Sequence, residues 1–281
     1  MAFAAAVTLV LGVTTVGGAT AAVAKAHPPT IVEYAIPTAN GGPAEIVTGP
    51  DGNLWFPERS SDKIGRISTS GTFTEFAIPT AASGPIGIAA GPDGNLWFTE
   101  SAANKIGRIT PSGTITEFTV PTAGFTITAG PDGNLWFTEA LGNKVGRITP
   151  SGTVTEFDVP SPNSEPGGIT AGPDGNVWFT EEYKGKGTGG IARITPSGTI
   201  VEFRLPDGGE PVRITTGPDG NLWFTERYAN KIGKSTPAGV VTEFSLPTTK
   251  SEPVGITSGR DGNVWFTERA GNRIGRITTA G

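Results

Sequence analysis

The sequence predicts an all-β fold, a six-bladed β-propeller of four-stranded antiparallel blades, and three observations carry that expectation. A phrase built on Gly-Pro-Asp-Gly-Asn-Leu-Trp-Phe-Thr-Glu recurs along the chain. It sets every tryptophan, Trp55, Trp97, Trp136, Trp178, Trp223 and Trp265, at separations of 42, 39, 42, 45 and 42. A period near 42 that contains several short strand-like runs is a propeller blade rather than a helical repeat. No stretch of the repeats carries a 3.6-residue apolar period. The 42 glycines and 24 prolines fall at fixed repeat offsets, where they read as turns rather than as disorder.

The second unit justifies each element in order. Gly87, Ile88, Ala89 and Ala90 are small and apolar, as an innermost strand crowded around an axis requires. Pro92-Asp93-Gly94 supplies a turn, with φ preset at proline and positive at glycine. Residues 95–100 alternate large apolar and polar groups as a second strand, and residues 105–110 form a third. Pro111-Ser112-Gly113 turns the chain again into a β-branched and aromatic outer strand over 114–120. Asn104, Asn143, Asn230 and Asn272, each ahead of a third strand, suit a left-handed backbone position.

The blades lead off near residues 44, 86, 125, 167, 212 and 254. Residues 30–37 match the outer strand of the second unit, and residues 30–281 number 252, six repeats of 42. This predicts that residues 30–37 complete the last blade and close the ring, leaving no open edge. The alternative is a fragment of a seven-bladed ring. Residues 1–26 are small and apolar with one charge, Lys25, and read as a signal peptide ahead of a propeller domain at 27–281. Export is the expected localisation, secreted or in the cell envelope, with no membrane span after cleavage. The chain contains no cysteine, so packing and closure rather than disulfides must hold it. Removing residues 1–26 leaves 20 basic against 26 acidic groups, a net charge of −6, which argues against a nucleic-acid partner. A monomer is expected.

Strands one and two form a hairpin, so the start of one and the end of the other emerge on the same face. An acid ends strand two in every blade: Glu58, Glu100, Glu139, Glu181, Glu226 and Glu268. Six carboxylates near a channel mouth would raise one another's pKa or hold a cation such as Mg²⁺. Pairing with basic residues of the same blade is the plainer reading. Function breaks symmetry, and symmetry breaks at Arg213 and Glu45, at Phe125 in a shortened blade, and at Arg59, Arg227 and Arg269. Tyr183, in a three-residue expansion of the fourth blade, and Tyr228 could stack on a ring-shaped ligand.

Trp-Phe-Thr-Glu, then Asn-Lys-Ile-Gly-Arg-Ile-Thr, then Gly-Thr-Ile-Thr-Glu-Phe, with Glu-Pro-x-Gly-Ile leading blades, resembles the virginiamycin B lyase family over residues 30–281. The resemblance implies a propeller closed by its N-terminal strand, with seven blades where six are counted here. It also implies an enzyme that opens streptogramin B antibiotics by elimination at an ester, using Mg²⁺ and a general-base histidine. The family's metal-binding glutamate maps to Glu268, and its two histidine positions fall on Val254 and Val212. The only histidine is His27, so a substitute base would have to be a carboxylate, Glu45 or Glu226. Three readings follow. The first is a secreted propeller that binds a small molecule, glycan or peptide at the channel mouth. The others are an active Mg²⁺-dependent C–O lyase with a carboxylate base, tied to antibiotic resistance, and a structural cell-surface interaction module.

Overall fold

The computed structural model describes residues 32–182, 189–206 and 209–280. The signal-peptide segment, His27 and Tyr183 lie outside the described residues. The chain divides into two units, Met1–Ala35 and Ile36–Gly281. Residues 32–35 form no strand.

Among the described residues all strands lie in the unit Ile36–Gly281, in six antiparallel sheets. Blade one holds β1 (Val47–Thr48), β2 (Leu54–Glu58), β3 (Lys63–Ile67) and β4 (Phe73–Ala77). Blade two holds β5 (Pro85–Ala90), β6 (Leu96–Glu100), β7 (Lys105–Ile109) and β8 (Ile115–Thr119). Blade three holds β9 (Ile127–Ala129), β10 (Leu135–Glu139), β11 (Lys144–Ile148) and β12 (Val154–Asp158). Blade four holds β13 (Pro166–Ala171), β14 (Val177–Glu181), β15 (Gly190–Ile194) and β16 (Ile200–Arg204). Blade five holds β17 (Pro211–Thr216), β18 (Leu222–Glu226), β19 (Lys231–Ser235) and β20 (Val241–Ser245). Blade six holds β21 (Pro253–Ser258), β22 (Val264–Glu268) and β23 (Arg273–Ile277). The inner strands follow one another around the axis, β1 against β5, then β9, β13, β17 and β21. The fold is the predicted all-β propeller.

The turn between strands one and two explains why its residues recur. Gly94 takes a φ of 75° with open space around it, a conformation a side chain would strain. Asp93 accepts from the Asn95 amide at 3.2 Å and from the Trp97 indole N–H at 3.1 Å. The buried indole needs that acceptor, and all six tryptophans find it in the aspartate four residues earlier. Asn104, Asn143, Asn230 and Asn272 sit at φ of 50–58°, as expected.

Blades pack face to face, and the five interfaces from blade one to blade six are built the same way. Trp97, Ile106 and Val120 of blade two meet Ile127, Leu135, Phe137 and Ile148 of blade three in one buried cluster. The isoleucine or valine at the Ile106 position is fully buried in blades one to five: Ile64, Ile106, Val145, Ile191 and Ile232 are all 0 % exposed. Its counterpart in blade six, Ile274, is 67 % exposed. A cleft of about 700 Å³ opens there, walled by Ile256, Trp265 and Ile274 on one side and Ile46 and Val47 on the other. Among the described residues the ring therefore has a seam between blades six and one.

Among the described residues the last sheet has three strands. Residues 30 and 31 of the expected closing strand lie outside the described residues. Thr38 donates from its N–H and hydroxyl to Glu75 of blade one, at 2.9 and 2.8 Å.

Candidate functional site

The start of strand one is where the fold places the residues of interest, and a β-bulge shapes it. In blade two Pro85 pairs with Glu100 and Ile88 with Phe98, so strand one advances three residues while strand two advances two. Blades four, five and six repeat this shift between Pro166 and Ile169, Pro211 and Ile214, and Pro253 and Ile256. The extra residue re-aims the side chains of the bulge, among them Val212 and Val254. In blades two, four and five a buried threonine of strand two ties the bulge to the next blade. Thr180 accepts from the Gly168 N–H at 2.8 Å and donates to the Val212 carbonyl at 3.3 Å. Thr225 accepts from the Arg213 N–H at 3.3 Å and donates to the Val254 carbonyl at 2.9 Å. Both valine backbones are thus held rigidly. Gly168 lets the adjoining bulge come close, since a Cβ there would lie 2.8 Å from the Arg213 Cα.

Three residues that break the repeat converge at the channel from blades one, three and five. The Arg213 guanidinium lies over the Phe125 ring at 5.3 Å and faces the Glu45 carboxylate at 3.6 Å. Glu45 also accepts from the Ile88 N–H at 3.4 Å. Burial pushes the Glu45 carboxyl above its usual range, and the Arg213 charge opposes this only in part. A carboxyl so placed is better suited to holding a proton than an exposed one.

A second grouping surrounds Val212. Glu182, Glu210, Val212, Arg227 and Tyr228 line a cleft of about 430 Å³. Tyr228 is 66 % exposed, and its ring carries the Arg227 guanidinium at 5.1 Å. Arg227 is held by Glu252, which accepts from its Nε at 3.2 Å and a terminal nitrogen at 2.9 Å. Val254, one blade on, does not line this cleft. The sequence reading does not find Glu210 and Glu252. A signal was present, because blades four to six are led by Glu165-Pro166, Glu210-Pro211 and Glu252-Pro253, where the first two blades have Gly42-Pro43 and Gly84-Pro85. Glu252 takes a φ of 51°, in the left-handed region the glycines also occupy, and that backbone cost marks a constrained position.

The six strand-two glutamates are placed differently from the expectation of an open carboxylate ring. Glu58, Glu100, Glu139 and Glu226 are 0 % exposed, Glu181 5 % and Glu268 7 %. The alternation of strand two explains it: Glu100 shares a face with Phe98, which packs against blade one. The main like charge acting on Glu58, Glu100, Glu139 and Glu181 is the outer-strand glutamate of the same blade, not a ring neighbour. Burial first, and then Glu117, raises Glu100 to about 8; burial and Glu156 raise Glu139 to about 8, and burial and Glu202 raise Glu181 to about 8. The blade's lysine pairs with the outer acid instead, Lys105 with Glu117 at 3.0 Å and Lys144 with Glu156 at 2.8 Å. Full burial also keeps Glu226 from reaching a ligand proton as a base.

Glu268, the magnesium ligand implied by the resemblance, is 7 % exposed, and one of its carboxylate oxygens is buried without a hydrogen-bond partner among the described residues. A cation there would need its remaining ligands from water or a bound molecule. Among the described residues no group of three His, Cys, Asp or Glu side chains comes together.

Bulged inner strands, a cleft at their starts and a charged cluster at the channel mark this as a β-propeller whose repeat is broken on one face. The chain belongs to the virginiamycin B lyase family, whose model matches residues 8–188 and 122–281. The virginiamycin B lyase of Staphylococcus aureus is 43 % identical, with a TM-score of 0.81 over 86 % of this chain and 83 % of that one. A catalytically inactive histidine-to-alanine form of the S. aureus enzyme, solved with quinupristin, is 42 % identical. It matches with a TM-score of 0.83 over 89 % of this chain and 84 % of that one. A streptogramin B lyase is 40 % identical, with a TM-score of 0.82 over 88 % and 82 %.

Proposed function

We propose that this chain is an exported propeller that binds a small molecule at the channel mouth and does not open it. The observation that carries the reading is the cleft at Val212. It keeps an exposed aromatic ring, a guanidinium and acidic side chains around a backbone held by Thr180, and it has a hydrocarbon side chain where the family's histidine falls. Elimination at an ester needs a base of near-neutral pKa against the proton it removes. A valine supplies contact area alone. The relative solved with quinupristin is a histidine variant that is catalytically inactive, in keeping with binding that outlasts loss of an imidazole. The ligand class is therefore a compact molecule with a ring to lie on Tyr228 and polar groups for Arg227. A cyclic depsipeptide of the streptogramin B type is the first to try, ahead of glycans and linear peptides.

A second reading, a lyase using a carboxylate base, is favoured by one observation, the raised Glu45 beside Arg213. One experiment separates the two. The full chain is mixed with a streptogramin B antibiotic, with Mg²⁺ or with EDTA; binding is followed by calorimetry and ring opening by mass spectrometry. Saturable binding weakened by Tyr228→Ala, without mass change, is the expected result. Turnover abolished by EDTA or by Glu45→Gln would replace the first reading with the second. No binding at all would favour the structural surface module.

A further inference from the structure

One position at the start of strand one is small in four blades and charged in two. Blades two, four and six have Gly87, Gly168 and Gly255 there, and blade three has Thr126. Blades one and five have Glu45 and Arg213. The Arg213 backbone is fixed, because its N–H donates to the Thr225 hydroxyl at 3.3 Å. Its guanidinium lies over Phe125, 5.3 Å from the ring centroid. An aromatic ring attracts the cation but offers its N–H groups no oxygen acceptor.

That guanidinium is short of acceptors. Among the described residues its hydrogen bonding is a 3.4 Å contact from Nη1 to the Val212 carbonyl. Nη2 stands 3.6 Å from the Glu45 carboxylate, outside hydrogen-bond reach. Nε–H and Nη2–H form the side-on fork that a carboxylate fills with two parallel hydrogen bonds. The side chains of Arg213 and Glu45 are 26 % and 31 % exposed, so solvent reaches both. Glu45 accepts from the Ile88 N–H at 3.4 Å, and burial makes it hold a proton more readily than a free carboxyl. Among the described residues no other charged side chain lines the space that the pair faces.

We propose that Arg213 forms an anion site in the channel for the carboxylate of a small monocarboxylic acid, beside the Val212 cleft, which Arg213 does not line. The carboxylate takes Nε–H and Nη2–H side-on, with Phe125 against the guanidinium, and Glu45 in its acid form donates to it. Charge decides the class of ligand. One guanidinium balances one negative charge, whereas a dianion such as sulfate leaves an excess beside Glu45. Ionised Glu45 competes for the same cation and repels the anion, so affinity falls as pH rises through the Glu45 titration. The anion and a proton on Glu45 therefore bind together.

The test titrates the full chain with sodium formate, a planar carboxylate ionised at both pH 5 and pH 8, and follows binding by calorimetry at constant ionic strength. Saturable binding is expected at pH 5, weakened about tenfold or more at pH 8. Formamide, which has the same shape without the charge, should not bind, and sulfate should bind more weakly than formate. Arg213→Gly, the residue of three sister blades, should weaken formate about tenfold or more at pH 5, with a thermal melt to check folding. Glu45→Gln should still bind formate and should lose the difference between the two pH values, because an amide donates without titrating. No saturable formate binding, equal binding of formamide, equal binding to a folded Arg213→Gly, or an unchanged pH dependence in Glu45→Gln would each overturn the proposal. So would sulfate binding more tightly than formate.

Discussion

Replacing Glu100 by Gln should make the protein less sensitive to alkaline pH, although it removes a charge-bearing group from the core. The Glu100 carboxyl is 0 % exposed and is pushed up to about 8, first by burial and then by Glu117. Below pH 4.5 it is protonated in folded and unfolded chains alike, and stability does not depend on it. Between about 4.5 and about 8 only the unfolded chain ionises, so the folded chain holds one proton more and stability falls as pH rises. Above about 8 both forms are ionised and the dependence ends. One such group is worth at most about 1.4 kcal/mol per pH unit, or about 3–5 °C per unit in the melting temperature of a domain this size. Glu139 and Glu181 titrate in the same window, and Glu45 and Glu58 are raised as well, so each Gln substitution should remove at most about a third of the slope. Thermal melts at half-unit steps from pH 5 to 8.5 measure it for the parent, the three single variants and the triple variant. A Glu100→Gln variant that loses the same stability at pH 5 and pH 8 would show that the carboxyl is ionised in the folded state, and the argument would fall.

Two further outcomes follow from the seam and from the bulges. Ile232→Ala, in a sealed blade interface, should cost about 2–5 kcal/mol in urea unfolding, whereas Ile274→Ala, at the seam, should cost under about 0.5 kcal/mol; equal losses would mean that the seam is packed in solution. Restoring histidine at Val212 and Val254 together should raise streptogramin B ring opening by about 10²–10⁴-fold over the parent, as a positioned base does, and an unchanged rate in a folded variant would place the defect elsewhere in the site.

The blades were legible because each of their features is local. A positive-φ glycine, an aspartate four residues before a tryptophan and an alternating strand all act within one repeat, and six copies make the pattern plain. The burial of the strand-two glutamates was not legible in the same way. It depends on which face of strand two meets the preceding blade, and that is set by the packing of two repeats rather than by the spacing of either. Export likewise rests on the sequence of residues 1–26; among the described residues no helix is long and apolar enough to cross a membrane. The convergence of Glu45, Phe125 and Arg213 was half visible. Each departs from the repeat at the start of strand one, but contact across the channel from alternate blades follows only from ring geometry.

That distinction bears on where chemistry can reside in this fold. A group present six times over, such as the strand-two glutamate, is constrained by what the interface needs in every blade, and here that means burial against Phe98 and its counterparts. A group present once is free of that constraint. Arg213 stands where blades two, four and six have glycine, beside a bulge whose backbone is already fixed by Thr225. It adds a guanidinium to the channel without disturbing a strand. The same holds for Tyr228 and Arg227, in the loop after strand two. Substrate selectivity among relatives is therefore expected to follow these single-copy positions at strand-one starts and strand-two ends, while substitution of the repeated positions changes stability first.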